Sequence, residues 1–394
     1  MVKEWHYSLT ISGDSATGKQ YLRRERIIDG FWREVRKGNH ILLVAPRRAG
    51  KTSMMKDLAA NCPEGYTGIY EDIESIRSKE AFFQCLFELI IQSIHRGKFA
   101  KARSFLERCV KRYRIKAISK SGVSFESRDI DYESELRNML PELKDADVHV
   151  VIFLDEFAEV IYKLKKIDRQ QDAIEILHTL RQIRSDEDFK HFTVVYGGSI
   201  GLEYVIREID RPKLINDLHP IKLSPLTPEE TRQLIRQVTE KATIRISDEM
   251  INYLEEKLEY LLPYYINLTL EAVEDIAYNH HDPVVNPAFI DEAFQRVMNE
   301  RKNFEDWLER LKSYHGAHFG FINSLLKHAA HQGSISIKTI YDKAVEYGRT
   351  EDYMDFTDLL VHDGYLMEAG SQTYRFTSPL LKGYWLLKYP IPYV

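Results

Sequence analysis

Residues 45–52 read Ala-Pro-Arg-Arg-Ala-Gly-Lys-Thr, followed by Ser53. This is the pattern of a phosphate-binding loop, Walker A, except that Ala45 stands where the first glycine is usual. The chemistry needs backbone N–H groups wrapped around phosphate oxygens at the start of a helix. Gly50 permits close approach of the chain, Lys51 offers a positive charge to β- and γ-phosphates, and Thr52 offers a hydroxyl to Mg²⁺. The expected phosphate-binding set is therefore Ala45, Pro46, Arg47, Arg48, Ala49, Gly50, Lys51, Thr52 and Ser53. An ordinary strand-helix turn can contain Gly-Lys-Thr by chance, so the loop needs a partner elsewhere in the chain.

That partner comes about a hundred residues later, where the apolar run Val150-Val151-Ile152-Phe153-Leu154 ends in Asp155-Glu156. Two carboxylates closing a buried strand form a Walker B pattern. Asp155 is expected to hold Mg²⁺ together with Thr52, and Glu156 to orient or deprotonate the water that attacks a γ-phosphoryl group. A third apolar run, 192–196, leads into Gly197-Gly198-Ser199. Ser199 is then either a polar sensor at a strand end or a small turn residue, and the sequence leaves both readings open.

These residues must be positioned by alternating strands and helices. The run 40–44 (HILLV) reads as a strand, 53–60 as a helix, 68–72 as a strand, and 79 to about 95 as a helix. The β-branched run 148–154 reads as a strand buried on both faces, 170–184 as a helix, and 192–196 as another buried strand. Strands joined by helical crossovers imply a parallel sheet sandwiched between helices. Thr227-Pro228-Glu229-Glu230 carries the signals of a capped helix start: Thr227 as N-cap, Pro228 at the first helical position and Glu230 reaching back. A helical pattern continues to about residue 312. Helices at about 318–332, 336–347 and 351–362, then strand-like runs 365–368 and 373–377, make a winged helix.

The expected architecture is an α/β P-loop NTPase sheet over 1–222, an all-α lid over 223–314 and a winged helix over 315–394. A length of 394 residues suits two or three modules. With 44% hydrophobic and 29% charged residues, the chain has the balance of a soluble globular protein. No apolar stretch is long enough to span a membrane, and the first residues lack a secretory pattern, so a cytoplasmic location is expected. Three scattered cysteines suit neither a disulfide framework nor a zinc site.

A net charge of −5 argues against wholesale polyanion binding. One segment, about 96–128, is nonetheless rich in Lys and Arg, with a helix expected over 101–114 and a hairpin over 115–127. It reads either as a solvated face or as a phosphate-contacting surface through which DNA is bound. The third helix of the winged module carries Glu351, Asp352, Asp355 and Asp358 without a Lys or Arg, which repels phosphates. That module therefore reads as a protein-interaction or autoinhibitory element. Its Phe376, Leu380, Leu381, Tyr384 and Trp385 either pack back on the sheet domain or form the module's own core.

Taken in order, the motifs resemble the AAA+-like ATPases with a C-terminal winged helix, known largely from archaea and bacteria and related to STAND ATPases and to archaeal origin-recognition initiators. Tyr21-Leu22-Arg23-Arg24-Glu25 is similar to the box near the adenine, with Arg23 in place of its glycine. Gly198-Ser199-Ile200-Gly201-Leu202 resembles the sensor turn, and Leu223-Ser224-Pro225-Leu226-Thr227 the linker into the lid. Leu262-Pro263-Tyr264-Tyr265 resembles the adenine-contacting turn without its usual glycines, and Phe376-Thr377-Ser378-Pro379-Leu380-Leu381 the end of the winged helix. The resemblance implies ATP and Mg²⁺ as cofactors, with Arg24 and Pro263 near the base. It also implies an arginine that completes a neighbouring subunit's site, with Arg211 as the candidate and Arg207 as its rival. The implied activity is that of an ATP-binding and hydrolysing switch of the AAA+/STAND type, acting on a protein partner or as a homo-oligomer. The alternative is a DNA-binding ATPase of replication-initiator or transposition-regulator type.

Overall fold

The computed structural model describes residues 4–97, 100–119, 122–126, 130–198, 201–209 and 211–391. Among these the strands, in chain order, are β1 (Ile41–Val44), β2 (Tyr66–Asp72), β3 (Ile115–Ser119), β4 (Gly122–Phe125), β5 (His149–Asp155), β6 (Phe192–Tyr196), β7 (His219–Lys222), β8 (Ile335–Ser336), β9 (Leu366–Glu368) and β10 (Thr373–Phe376). The chain divides into two compact units. One comprises Arg23–Val44 and Lys51–Leu223; the other comprises residues through Leu22, Ala45–Gly50, and residues from Ser224 onward.

The first unit holds a five-stranded sheet in the order β2-β5-β6-β1-β7, with every pairing parallel. All of β6 and all but the first residue of β5 are buried, as β-branched strands covered by helices on both faces must be. Phe31 of the helix Glu25–Arg36 stacks on Phe153 of β5, and Phe157, just beyond β5, packs against Tyr196 of β6. The edge strands look different: β2 alternates and β7 is half-exposed. Pro220 is tolerated in β7 because an edge strand has one ladder face without a partner.

The basic insert forms the helix Ala100–Tyr113 and the antiparallel hairpin β3–β4. It packs on the helix Lys79–Arg96 through Phe87, whose ring meets Tyr113 at 4.9 Å and Phe125 at 6.3 Å. Three of its arginines pair with carboxylates. Arg112 reaches Glu142 at 2.9 Å and Glu135 at 3.4 Å, Arg108 reaches Glu142 at 3.6 Å, and Arg103 reaches Glu107 at 3.2 Å.

From Pro228 the second unit is mainly helical up to the small sheet β8-β10-β9. The helix Pro228–Thr239 begins with a reciprocal capping box between Thr227 and Glu230. The winged module has the helices Phe319–Gln332, Ile337–Glu346 and Tyr353–His362, then the β9–β10 wing and a closing helix Pro379–Lys388. Its aromatic residues serve this unit's own core. Trp385 donates to Asn323 at 3.1 Å and packs on Tyr365 and Phe376, while Tyr384 lies against Phe304. Gly383 is in such close contact with the helix Pro287–Asn299 that a Cβ there would meet the Met298 side chain.

At the amino ends of the sheet strands, burial holds two histidines neutral. His40 is held down to about 3, from 6.5, by burial and then by the charge of Arg184, and burial holds His149 at about 4. His40 Nδ1 accepts the Val194 N–H at 2.9 Å, a bond that the imidazolium cannot keep. A depressed folded pKa means that stability is full above the unfolded value near 6.5 and is lost as pH falls toward the folded one. Urea unfolding should therefore show a penalty at about pH 5 relative to about pH 7.5, of roughly 2 kcal/mol per histidine. His40→Asn should remove its share of that penalty, and equal stability at the two pH values would contradict the assignment.

Candidate functional site

The sheet unit gathers one cluster at the carboxyl ends of its strands. In parallel strands these ends share one edge, and the register sets Asp72 at the end of β2 directly beside Asp155 at the end of β5. Asp155 is 2% exposed. Its Oδ2 accepts from the Thr52 hydroxyl at 2.7 Å and from the Tyr70 hydroxyl at 3.2 Å. Thr52 is the second residue of the helix Lys51–Ala60, so this bond joins residues 103 apart in the chain.

Glu156 follows with φ +57°, in the left-handed region that non-glycine residues seldom adopt. Its N–H bonds back to Asp155 Oδ1 at 3.1 Å. This turn breaks the strand sharply into the helix Phe157–Lys166 and leaves the Glu156 side chain half-buried at the sheet edge. Gly197 lies so near that a Cβ would stand 2.6 Å from Met55 Sδ and 3.0 Å from Asp155 Oδ1. Burial and the Asp155 charge push the Tyr70 phenol well above its ordinary value, which keeps it a donor.

The cluster suits a small hard cation. Among the described residues no group of three or more His, Cys, Asp or Glu side chains could hold a metal. Thr52 and Asp155 instead supply two oxygens already within hydrogen-bonding distance of each other. A partial oxygen set of this kind suits Mg²⁺, which keeps several waters and takes further ligands from a substrate's phosphates.

The loop 45–50 belongs to the other unit. Ala45 and Ala49 are buried, while Pro46, Arg47, Arg48 and Gly50 are half-buried. Arg48 has φ +65° and Gly50 φ +90°. Arg47 and Arg48 both donate to Asp306 Oδ2, Arg48 at 3.0 Å, and the Arg48 guanidinium lies 4.6 Å from the Tyr264 ring centroid. Tyr264 follows Pro263, the first residue of the helix Pro263–Asn279.

Solved structures share this fold. The Walker-type ATPase paby2304 of Pyrococcus abyssi matches with a TM-score of 0.64 and 14% identity, over 98% of this chain and 99% of that one. The ORC2 protein of Aeropyrum pernix, solved as ADPNP-ADP complexes, matches with a TM-score of 0.52 and 10% identity, over 93% of this chain and 94% of that one. The chain has the fold of these two proteins. Neither a protein family nor a curated protein matches the sequence.

Within this shared fold the remaining expected site residues lie as follows. Lys51 opens the helix after the loop, half-buried, and Ser53 is buried two residues on. Arg24 is half-buried just before the helix Glu25–Arg36. Arg207 and Arg211 are exposed, Arg211 just before the short helical turn Pro212–Leu214. Ser199 lies outside the described residues. Sequence reasoning missed Tyr70, Gly197 and Asp306. Tyr70 reads as one more strand aromatic and Asp306 as an acidic residue in a helix's first turn, so only the tertiary contacts single them out.

Tyr70→Phe should lower the unfolding free energy by about 1 to 2 kcal/mol, the cost of removing one donor from a buried carboxylate. Urea denaturation of the variant checks this, and unchanged stability would show that the bond does not support Asp155.

Proposed function

We propose that the chain is an ATP-binding and hydrolysing molecular switch of the AAA+/STAND type, in which nucleotide state is coupled to conformation, oligomerisation or engagement of a protein partner. The observation that carries this reading is the 2.7 Å bond between Thr52 and Asp155. It brings the end of the loop sequence and the end of the β5 sequence to one point, as a Mg²⁺-nucleotide site requires. The shared fold, and the nucleotide complexes named for the Aeropyrum pernix protein, support it.

In this reading backbone N–H groups of the segment 45–53 and the Lys51 ammonium receive the phosphates. Thr52 and Asp155 hold Mg²⁺, which when bound neutralises charge on the phosphate oxygens. Glu156 orients the attacking water and accepts its proton as the water oxygen bonds to the γ-phosphorus and the bond to ADP breaks. Arg24 and Pro263 flank the base, Ser199 reads the γ-phosphate, and Arg211 acts on a neighbouring copy's site. Arg103, Arg108 and Arg112 of the insert pair with Glu107, Glu135 and Glu142, which lowers the positive charge that the insert offers to DNA.

Lys51→Ala should abolish binding of a fluorescent ATP analogue. Glu156→Gln should bind it normally yet hydrolyse ATP at least about 100-fold more slowly, the usual weight of a positioned general base. Near-wild-type turnover in Glu156→Gln would sink the assignment of Glu156.

A further inference from the structure

The loop 45–50 is held in an unfavourable backbone shape by side chains far from it in sequence. Arg48 adopts φ +65°, a conformation in which a Cβ crowds the following carbonyl and which glycine adopts freely. Such a residue persists only where its surroundings fix it. Here they do so three times over: Arg48 Nη2 donates to Asp306 Oδ2 at 3.0 Å, Nη1 donates to the Gly13 carbonyl at 3.4 Å, and the guanidinium lies over the Tyr264 ring.

Arg47 donates to the same Asp306 oxygen and lies 5.9 Å from the Trp307 ring centroid. One carboxylate, in the first turn of the helix Glu305–His315, therefore fastens two successive loop residues. On the other side the chain closes on Pro46. Gly364, at φ +84°, lies so near that a Cβ would sit 3.1 Å from Pro46 Cβ. Gly50 is also left-handed, at φ +90°, and the Ala49 N–H bonds the Pro46 carbonyl at 3.2 Å, so the loop is sharply bent just before the helix that opens at Lys51.

We propose that Asp306 is a positioning residue for nucleotide phosphate. By clasping Arg47 and Arg48 it keeps residues 45–50 in the bent form that receives an anion, so phosphate affinity depends on the helix Glu305–His315 being docked on the loop. This rests on the nucleotide reading above. By thermodynamic reciprocity, phosphate in the loop strengthens the clasp to the same degree that the clasp strengthens phosphate binding. The loop is thereby a coupling point between nucleotide and the helices that precede the winged module.

The test uses the full-length chain with two readouts: hydrogen-deuterium exchange of the 45–50 amides without nucleotide, and the Kd of a fluorescent ADP analogue. Asp306→Ala should speed exchange and weaken binding, each by about tenfold. Adding Arg48→Gly, which adopts the left-handed shape without strain, should recover part of the lost affinity although not the exchange protection, since glycine frees the chain, and removal of a merely structural contact would allow no such recovery. Asp306→Asn, of the same size, repeats the test should the alanine variant fail to fold. Unchanged or tighter binding in the Asp306 variants overturns the proposal, tighter binding showing a lock that phosphate must break. Faster exchange without rescue of affinity by Arg48→Gly also overturns it. A wild-type chain that binds no analogue overturns the nucleotide reading and the phosphate role together, while the exchange readout still decides whether Asp306 orders the loop.

Discussion

The hydrogen bond from Thr52 to Asp155 is possible only because β1, β6 and β5 run parallel. Parallel pairing sends every strand's carboxyl end to one edge, so the helix that starts at Lys51 and the carboxylate that ends β5 arrive together although 103 residues separate them. The register constrains this closely. Leu154 pairs with Tyr196, and Asp155 stands beside Asp72. A one-residue slip of β5 would turn the Asp155 side chain to the opposite face of the sheet. The continuous burial of β5 and β6 fixes the strands within the helical layers, and the polar cluster forms around the last buried residue of β5, Asp155.

One residue in each unit departs from the backbone that its side chain prefers. Glu156 and Arg48 both carry left-handed backbones that their side chains disfavour. At Glu156 the bend turns the chain from strand to helix immediately beyond a buried carboxylate, with its own N–H bonded to that carboxylate. At Arg48 an ion pair and an aromatic face hold the bend. Sites of chemistry are common places for such strain, because a fixed shape in the free protein reduces the cost of ordering it when a ligand arrives.

The sequence made the central strands legible because residues buried on both faces leave an unbroken β-branched run, and it made the helix at Pro228 legible because its cap is written in consecutive residues. β7 was not legible: four residues with a proline carry no strand signal, and they pair with β1 only because an edge position admits them. The insert's helix and hairpin could be read, but the fate of its charge could not. Glu135 and Glu142, which neutralise Arg112, follow the insert in the chain and meet it only after folding. Lys51, Thr52, Asp155 and Glu156 announced themselves through motif spacing. Tyr70 and Asp306 have no local signature, since each is defined by the oxygen or guanidinium that the fold brings to it.

A cation site formed by Thr52 and Asp155 would make nucleotide binding depend on Mg²⁺. The most direct measurement is the affinity of a fluorescent ATP analogue for the wild-type chain and for Asp155→Asn, each with Mg²⁺ and with a chelator. The wild type should bind at least about tenfold more tightly with Mg²⁺ than without it, and Asp155→Asn should lose most of that difference. Binding that ignores Mg²⁺ in the wild type, or a Mg²⁺ dependence that survives in Asp155→Asn, would contradict the account.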